Sequence, residues 1–304
     1  MNLTLQQIQT LHAVITHGSI QAAAQSLNKT HPSVIALLNK LEHSLDIPLF
    51  DRSGYRLSLT EEGALFYQHS QRTLHEMASL EEKVRHIRKG EETELNIVIG
   101  DLTPIPKAMA VLREFTQRHP LTRLNFLFEN LSGPNEQLLH GNADMIIHHI
   151  DQSDARYEYQ PFCTVEAIPV ASPHFLNTPM NEHLKYDALK RYTQCIIRDT
   201  STTEEKQDHF VIEGSPHITV GDQRTKKEII LQSMAWGHMP AFLVEEELKN
   251  GTLISLQNRH LKGSRFNIVV ARLSQKHKGI MANKLWQLFS DHCQQECRTK
   301  QQIE

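Results

Sequence analysis

The stretch from Gly18 to Thr60 constrains the fold of this chain more than any other. Ser19 precedes a short segment with Ile20, Ala23, Ala24 and Leu27 on one stripe, a capped helix whose small alanines let a second helix approach closely. Asn28-Lys29 reads as a turn, after which Thr30 caps the next helix and Pro32 is tolerated in its first turn. Val34, Leu37, Leu38, Leu41 and Leu45 supply that helix with a buried face. Upstream, Thr4 and Gln7 form a capping box for a helix carrying Leu5, Ile8, Leu11, Val14 and Ile15. Three short helices with a tight turn between the second and third make a helix-turn-helix, whose third helix suits a DNA major groove. Between Phe50 and Leu59, the alternation of Tyr55, Leu57 and Leu59 after Ser53-Gly54 predicts a small hairpin wing.

Ala22-Ala23-Ala24 with Leu27, Pro32-Ser33-Val34, Leu38 with Leu41-Glu42, Leu45-Asp-Ile-Pro-Leu-Phe-Asp-Arg52 and Leu59-Thr-Glu-Glu-Gly63 follow one another in order. Together they resemble the winged helix-turn-helix of LysR-type transcriptional regulators. The resemblance implies that Lys29, Thr30, His31, Pro32, Ser33, Ile35 and Ala36 face double-stranded DNA, with Arg52 and Ser53 of the wing on phosphates. One departure stands out. Where family members place a Ser followed by Arg or His, this chain has Ile35-Ala36, which can meet thymine methyls but offers no phosphate clamp. Residues 1–60 hold four Lys/Arg against three Asp/Glu, so phosphate neutralisation is weak and dimerisation is expected to supply avidity.

The remaining composition is that of an ordinary globular protein, 39% hydrophobic and 22% charged over 304 residues. No apolar run approaches a membrane span and no basic head precedes an apolar one, so a cytoplasmic location without a membrane partner is expected. Cys163, Cys195, Cys293 and Cys297 are too few and scattered for a disulfide framework.

Thr60 caps a long helix predicted over 61–89 and stopped by Gly90. Leu74, Met77, Leu80, Val84 and Ile87 recur at spacings of three and four, a coiled-coil-like seam that also fits a core-facing stripe. In LysR-type proteins this element pairs two subunits, which implies a homodimer assembling to a homotetramer. From residue 94, strand–helix alternation calls for a parallel sheet with right-handed crossovers. Strands are expected at Leu95–Ile99, Thr122–Phe128, Asp144–His148, Cys163–Ala171, Gln194–Arg198, His217–Val220, Ala241–Leu243 and Phe266–Ala271. Helices are expected at Pro106–Arg118, Pro134–His140, Lys226–Trp236 and Gly279–Cys293, with a polar tail from Gln294. Leu139-His-Gly-Asn-Ala-Asp-Met-Ile-Ile147, Pro169-Val-Ala-Ser-Pro-His174 and Gly237-His-Met-Pro240 resemble the family's two-lobed effector-binding domain, similar to periplasmic solute-binding proteins. The expected fold is therefore multidomain: an all-α winged helix-turn-helix over 1–60, a linker helix over 61–90, and an α/β two-lobed periplasmic-binding-protein-like domain over 91–304. Lobe I spans about 91–160 and 266–293, and lobe II about 161–265.

The cleft between such lobes is lined by strand C-terminal ends and helix starts, the usual ligand position in open α/β sheets. Asp101, Leu102 and Thr103 should meet Asn130 and Ser132 there, with Arg198, Thr200, Ser201, Thr202, His148 and His238. Thr103 and Ser132 also fit as helix caps, and helix starts attract anions. Arg198 is the candidate to hold a carboxylate bidentately, with a salt bridge to Asp199 or Glu129 as its other reading. The expected effector is small and polar or anionic; Phe128, Trp236 and Met239 near the same segments fit an aromatic acid. His148-His149 lacks a third ligand at metal spacing, so neither a metal nor a cofactor is expected. No nucleophile elbow, phosphate-cradling glycine loop or catalytic carboxylate pair occurs, so the chain is not expected to be an enzyme. Double-stranded DNA, a small effector and RNA polymerase are the expected partners. A thiol-redox-responsive or ligand-independent DNA binder, and a solute-binding protein with a vestigial DNA domain, remain alternatives.

Overall fold

The computed structural model describes residues 2–51, 58–176, 185–202, 210–275 and 278–301, with the side chains of residues 82 and 296–301 outside that set. The chain divides into two compact units, Met1–Lys89 and Gly90–Glu304.

Local capping sets the first unit. Helix α1 (Leu5–His17) starts in a capping box in which Thr4 N donates to Gln7 Oε1 at 2.8 Å, and ends at Gly18 with φ +70°. Helix α2 (Ile20–Ser26) starts where Ala22 N donates to Ser19 Oγ at 3.1 Å, and Thr30 likewise caps α3 (His31–Leu45). Leu11, Val14, Ala23, Ala24, Val34 and Leu41 pack at the centre of the three helices. From α3, Glu42 Oε1 accepts from Leu49 N at 2.7 Å and Phe50 N at 3.2 Å. That carboxylate fixes the entry to β1 (Phe50–Asp51), which pairs antiparallel with β2 (Ser58–Leu59). The wing tip, including Arg52, Ser53 and Tyr55, lies outside the described residues. Helix α4 (Glu61–Arg88) is capped by Thr60 and passes so close to the preceding chain that a Cβ on Gly63 would lie 2.1 Å from the Leu49 carbonyl oxygen. Towards its end, Leu80, Val84 and Ile87 are exposed by 53%, 45% and 62%, while Leu74 and Met77 are half-buried.

In the second unit, β3 (Glu94–Gly100), α5 (Ile105–Arg118), β4 (Arg123–Glu129), α6 (Gly133–Leu139) and β5 (Met145–His148) build the expected parallel core, its strands in the order β4-β3-β5. A long strand, β6 (Tyr157–Ala171), follows; then come α7 (Tyr186–Leu189), β7 (Gln194–Ile197), β8 (His217–Val220) and α8 (Gln223–Leu231). The chain continues through β9 (Gly237–Pro240), α9 (Ala241–Asn250), β10 (Ile254–Ser255), β11 (Ser264–Leu273) and α10 (Ile280–Gln301). Strand β11 pairs along its whole length with residues Tyr157–Ala167 of β6. One end of this ribbon joins β5, while the other takes β9 and β10, so two antiparallel strands tie the lobes together. Their register slips by one residue opposite Pro161, as expected where a proline has no amide to donate. Strands β7 and β8 form a separate parallel pair.

Several boundaries differ from the sequence expectation: the strand expected from Cys163 already begins at Tyr157, and three others bear on the site. The helix expected at Lys226–Trp236 starts earlier, because Asp222 Oδ1 accepts from Thr225 N at 2.8 Å, and it ends at Leu231. Ala241–Leu243 is the first turn of α9 and not a strand; Gly237–Pro240 is the strand, pairing with β6. Helix α10 runs on through the expected polar tail, its start capped by Glu92, whose carboxylate accepts from Met281 N at 2.9 Å and Ala282 N at 3.2 Å. Among the described residues no helix is long and apolar enough to cross a membrane.

Candidate functional site

Two surfaces carry chemistry, one in each unit. On α3, Val34, Leu38 and Leu41 turn inward, leaving Thr30, His31, Pro32, Ser33 and Ala36 exposed and Lys29 and Ile35 half-buried. Ser33 Oγ lies 2.8 Å from Thr30 Oγ1, so part of its hydrogen-bonding capacity is engaged at the helix start. Asn39 and Lys40 extend the same exposed face by one turn, and sequence reasoning passed over them. Their three- and four-residue spacing from Ala36 was the available signal.

In the second unit the lobes meet along a line of hydrogen bonds. Asn130 Nδ2 donates to the carbonyls of Arg198 at 3.2 Å and Gly221 at 2.7 Å, and Asn130 N donates to Thr200 Oγ1 at 2.9 Å. Asp199 Oδ1 accepts from Ser132 N at 3.2 Å and Ser201 N at 2.9 Å. The Glu136 carboxylate accepts from Thr202 N at 2.8 Å and from its hydroxyl. Asn130, Ser132, Thr200, Ser201 and Thr202 are thus brought together as expected, but largely engaged with one another across the lobes. With Asp199 and Glu136 around it, the start of α6 already has its negative charge, contrary to its expected role as an anion site. Neither hydroxyl caps its helix: Pro104 occupies the N-cap position of α5 while Thr103 Oγ1 donates to the Ile147 carbonyl at 2.7 Å, and Ser132 makes no side-chain cap to α6. The Arg198 side chain is exposed and is not part of the chamber wall between the lobes.

Deeper between the lobes is a chamber of about 30 Å³ walled by Asp101, Leu102, Leu131, Gln223, Lys226 and His238. Lys226 and Gln223 are 5% and 8% exposed, on the same face of α8 as the core residue Ile230. Gly237 makes room for the lysine stem, since a Cβ there would lie 3.0 Å from Lys226 Cε. Burial pushes the Lys226 amine down to about 8, against smaller opposing influences of Cys195 and Asp101. Among the described residues no carboxylate lies within 4.0 Å of it. His238 is buried, and among the described residues neither ring nitrogen has a hydrogen-bond partner. Phe210, itself at φ +67°, stacks on it at 4.1 Å between centroids and 12° between planes. Holding an aromatic residue in the left-handed region costs roughly 1–3 kcal/mol, the kind of strain that collects at ligand sites. His148 stands behind this wall with Nε2 2.8 Å from the Leu131 carbonyl, positioning Leu131 at the chamber. Asp101, Leu102 and His238 therefore meet as expected, whereas Gln223, Lys226 and Phe210 were missed. Beginning the helix at Lys226 hid the Gln223–Lys226–Ile230 stripe, a cation on an otherwise inward face. Among the described residues no group of three or more His, Cys, Asp or Glu could hold a metal ion.

Burial first, and the Lys226 charge second, push His238 down to about 3, so the folded protein keeps it neutral where an unfolded imidazole, near 6.5, takes up a proton. Its contribution to stability is full above about pH 6.5 and falls by about 1.4 kcal/mol per pH unit on acidification towards pH 3. Urea melts should therefore show that His238→Gln removes about 2 kcal/mol of the stability lost between pH 7 and pH 5. An unchanged pH slope in the variant would mean that His238 is already charged in the folded state.

A capped helix-turn-helix joined to a two-lobed α/β unit with a polar chamber between its lobes is the build of a DNA-binding regulator carrying an effector-binding domain. Residues 5–64 match the family described as bacterial regulatory helix-turn-helix protein, lysR family, and residues 88–294 match the LysR substrate binding domain. The chain belongs to the LysR-type transcriptional regulators, which are regulators and not enzymes. It is 29% identical over 256 residues to the uncharacterized HTH-type transcriptional regulator YeeY of Escherichia coli (strain K12), covering 84% of this chain and 83% of that one. It is 27% identical over 254 residues to the HTH-type transcriptional activator AllS of Klebsiella pneumoniae, covering 82% and 93%. Full-length LysG from Corynebacterium glutamicum shares the fold with a TM-score of 0.52 at 18% identity, covering 95% of this chain and 97% of that one. The Vibrio cholerae virulence activator AphB does so with a TM-score of 0.50 at 17% identity, covering 95% and 99%.

Proposed function

We propose that this regulator acts in the cytoplasm as a homodimer paired through α4, assembling to a homotetramer on a dyad-symmetric operator. Its output passes to RNA polymerase, and a small anionic effector held between the lobes sets its geometry on DNA. Lys29, Thr30, His31, Pro32, Ser33, Ile35 and Ala36 read the major groove, and Arg52 and Ser53 meet phosphates. The observation that carries the effector reading is Lys226: a buried cation that has no carboxylate partner among the described residues, on the wall of an interlobe chamber, is matched by an anion. The thiol-redox alternative loses ground at Cys195, because burial pushes that thiol up and away from the reactive thiolate.

The test uses the full-length protein with an operator selected from random duplexes. Small aliphatic and aromatic acids should raise the melting temperature by mass action and change operator affinity; occupancy at a hundred times Kd corresponds to about 2.7 kcal/mol. No acid acting at millimolar concentration would exclude an anionic effector.

A further inference from the structure

The 30 Å³ chamber has a neighbour. A cavity of about 600 Å³ lies beside it, and Asp101 and Gln223 belong to the walls of both. Gln223 Nε2 donates to Asp101 Oδ2 at 2.9 Å, so one hydrogen bond forms part of the partition. Two unmet needs of opposite sign accompany it. Lys226, on the wall of the small chamber, has no carboxylate within 4.0 Å among the described residues. Asp101 Oδ1 and Gln223 Oε1, on the two residues shared by both walls, are buried acceptors without a donor among the described residues. A lone anion would answer Lys226 but place a like charge near Asp101, and a lone cation would do the reverse. A ligand carrying both charges a few ångströms apart answers both needs and adds no net charge to the buried site.

The larger cavity shows what the rest of the ligand would be. Ile105, Phe128 and Phe242 line it and are 38%, 60% and 37% exposed, apolar surface that the chain itself leaves uncovered. Glu129 and Asp222 on the same wall outnumber its one cation, Arg224, so an acidic extension gains nothing there. We propose that the effector is an α-amino acid with an apolar side chain, its carboxylate on Lys226, its ammonium on Asp101 Oδ1 and Gln223 Oε1, and its side chain against Ile105, Phe128 and Phe242. The assignment rests on the reading of the interlobe region as the effector site. A volume of 30 Å³ holds about one water, so binding breaks the Asp101–Gln223 hydrogen bond and merges the two voids.

The experiment compares L-leucine, L-methionine and L-phenylalanine with the matching 2-hydroxy acids and decarboxylated amines, by thermal shift and calorimetry on the full-length protein. At least one amino acid should bind tenfold or more tightly than both of its analogues. Asp101→Asn should erase the advantage over the hydroxy acid while leaving hydroxy-acid binding in place. N-acetyl amino acids remove the ammonium from the ligand side, and they make the same test should the variant fail to fold. Hydroxy acids binding as tightly as amino acids would overturn the assignment and leave the anionic-effector reading standing. Amines binding best would overturn both, as would no binding by any compound together with no response in the acid screen.

Discussion

Leu80→Asp is expected to turn the protein into a monomer that no longer holds its operator at physiological salt. Helix α4 has 28 residues, and along it Leu74, Met77, Leu80, Val84 and Ile87 recur at coiled-coil spacing. Three of these are exposed by 45–62% in the isolated chain, flanked by Glu81, Lys83, Arg85 and Arg88, as on a helix whose apolar seam awaits a partner. An aspartate in the middle of such a seam buries an unpaired charge in each subunit and costs several kcal/mol of association. The effect on DNA is amplified by the charge of the reading unit. With only four Lys/Arg against three Asp/Glu in residues 1–60, one subunit gains little from phosphates, so operator affinity depends on two half-sites held together. Losing that linkage removes roughly 10²–10⁴ in affinity. Sedimentation velocity and fluorescence anisotropy on a labelled operator measure the two effects separately. An unaltered oligomer in the variant would show that the stripe packs elsewhere.

The elements that were legible in the sequence are those whose causes are local. Thr4, Ser19, Thr30 and Thr60 each cap the helix they were expected to cap, because a cap requires only a hydroxyl and an amide three residues away. The parallel pairing of β3, β4 and β5 followed from strand–helix alternation, while their order in the sheet did not. What was not legible depended on distant partners. Segment 198–202 reaches the cleft as expected, but its hydrogen bonds go to Asn130, Ser132 and Glu136, more than sixty residues away in the chain. Nothing local in Thr200 or Thr202 signals that engagement. That Lys226, and not the expected Arg198, lines the chamber has the same origin. A strand-end arginine is a sound guess from residue type, but exposure depends on how α8 and β9 pack on β7. The wrong start for α8 then concealed the one lysine on its inward face.

Lys226→Met is expected to make the protein more stable while abolishing its response to effector. Lys226 is buried, and its amine is pushed from 10.5 down to about 8 chiefly by that burial. Below about pH 8 the lysine is charged in both states and the folded protein bears the whole cost of desolvation, about 3 kcal/mol. Between about pH 8 and 10.5 the unfolded chain binds more protons, so the stability of the unmodified protein rises with pH, and above that range both forms are neutral and the cost vanishes. Methionine has similar length and flexibility and no charge, so it can occupy the groove beside Gly237 without a cavity. Urea unfolding should show a gain approaching 3 kcal/mol at pH 7 that shrinks by pH 10. The variant also removes one of the two influences holding His238 neutral, so its acid limb should be shallower than that of the unmodified protein. Calorimetry with the acids that bind the unmodified protein should show affinity falling at least a hundredfold, because the only replacement for the ammonium is an apolar thioether. Such a trade of stability for function is expected where a buried charge is kept for a ligand. A variant that is less stable at pH 7 would instead mean that the amine is paired in the free protein, and the chamber would then have no cation left for an anionic effector.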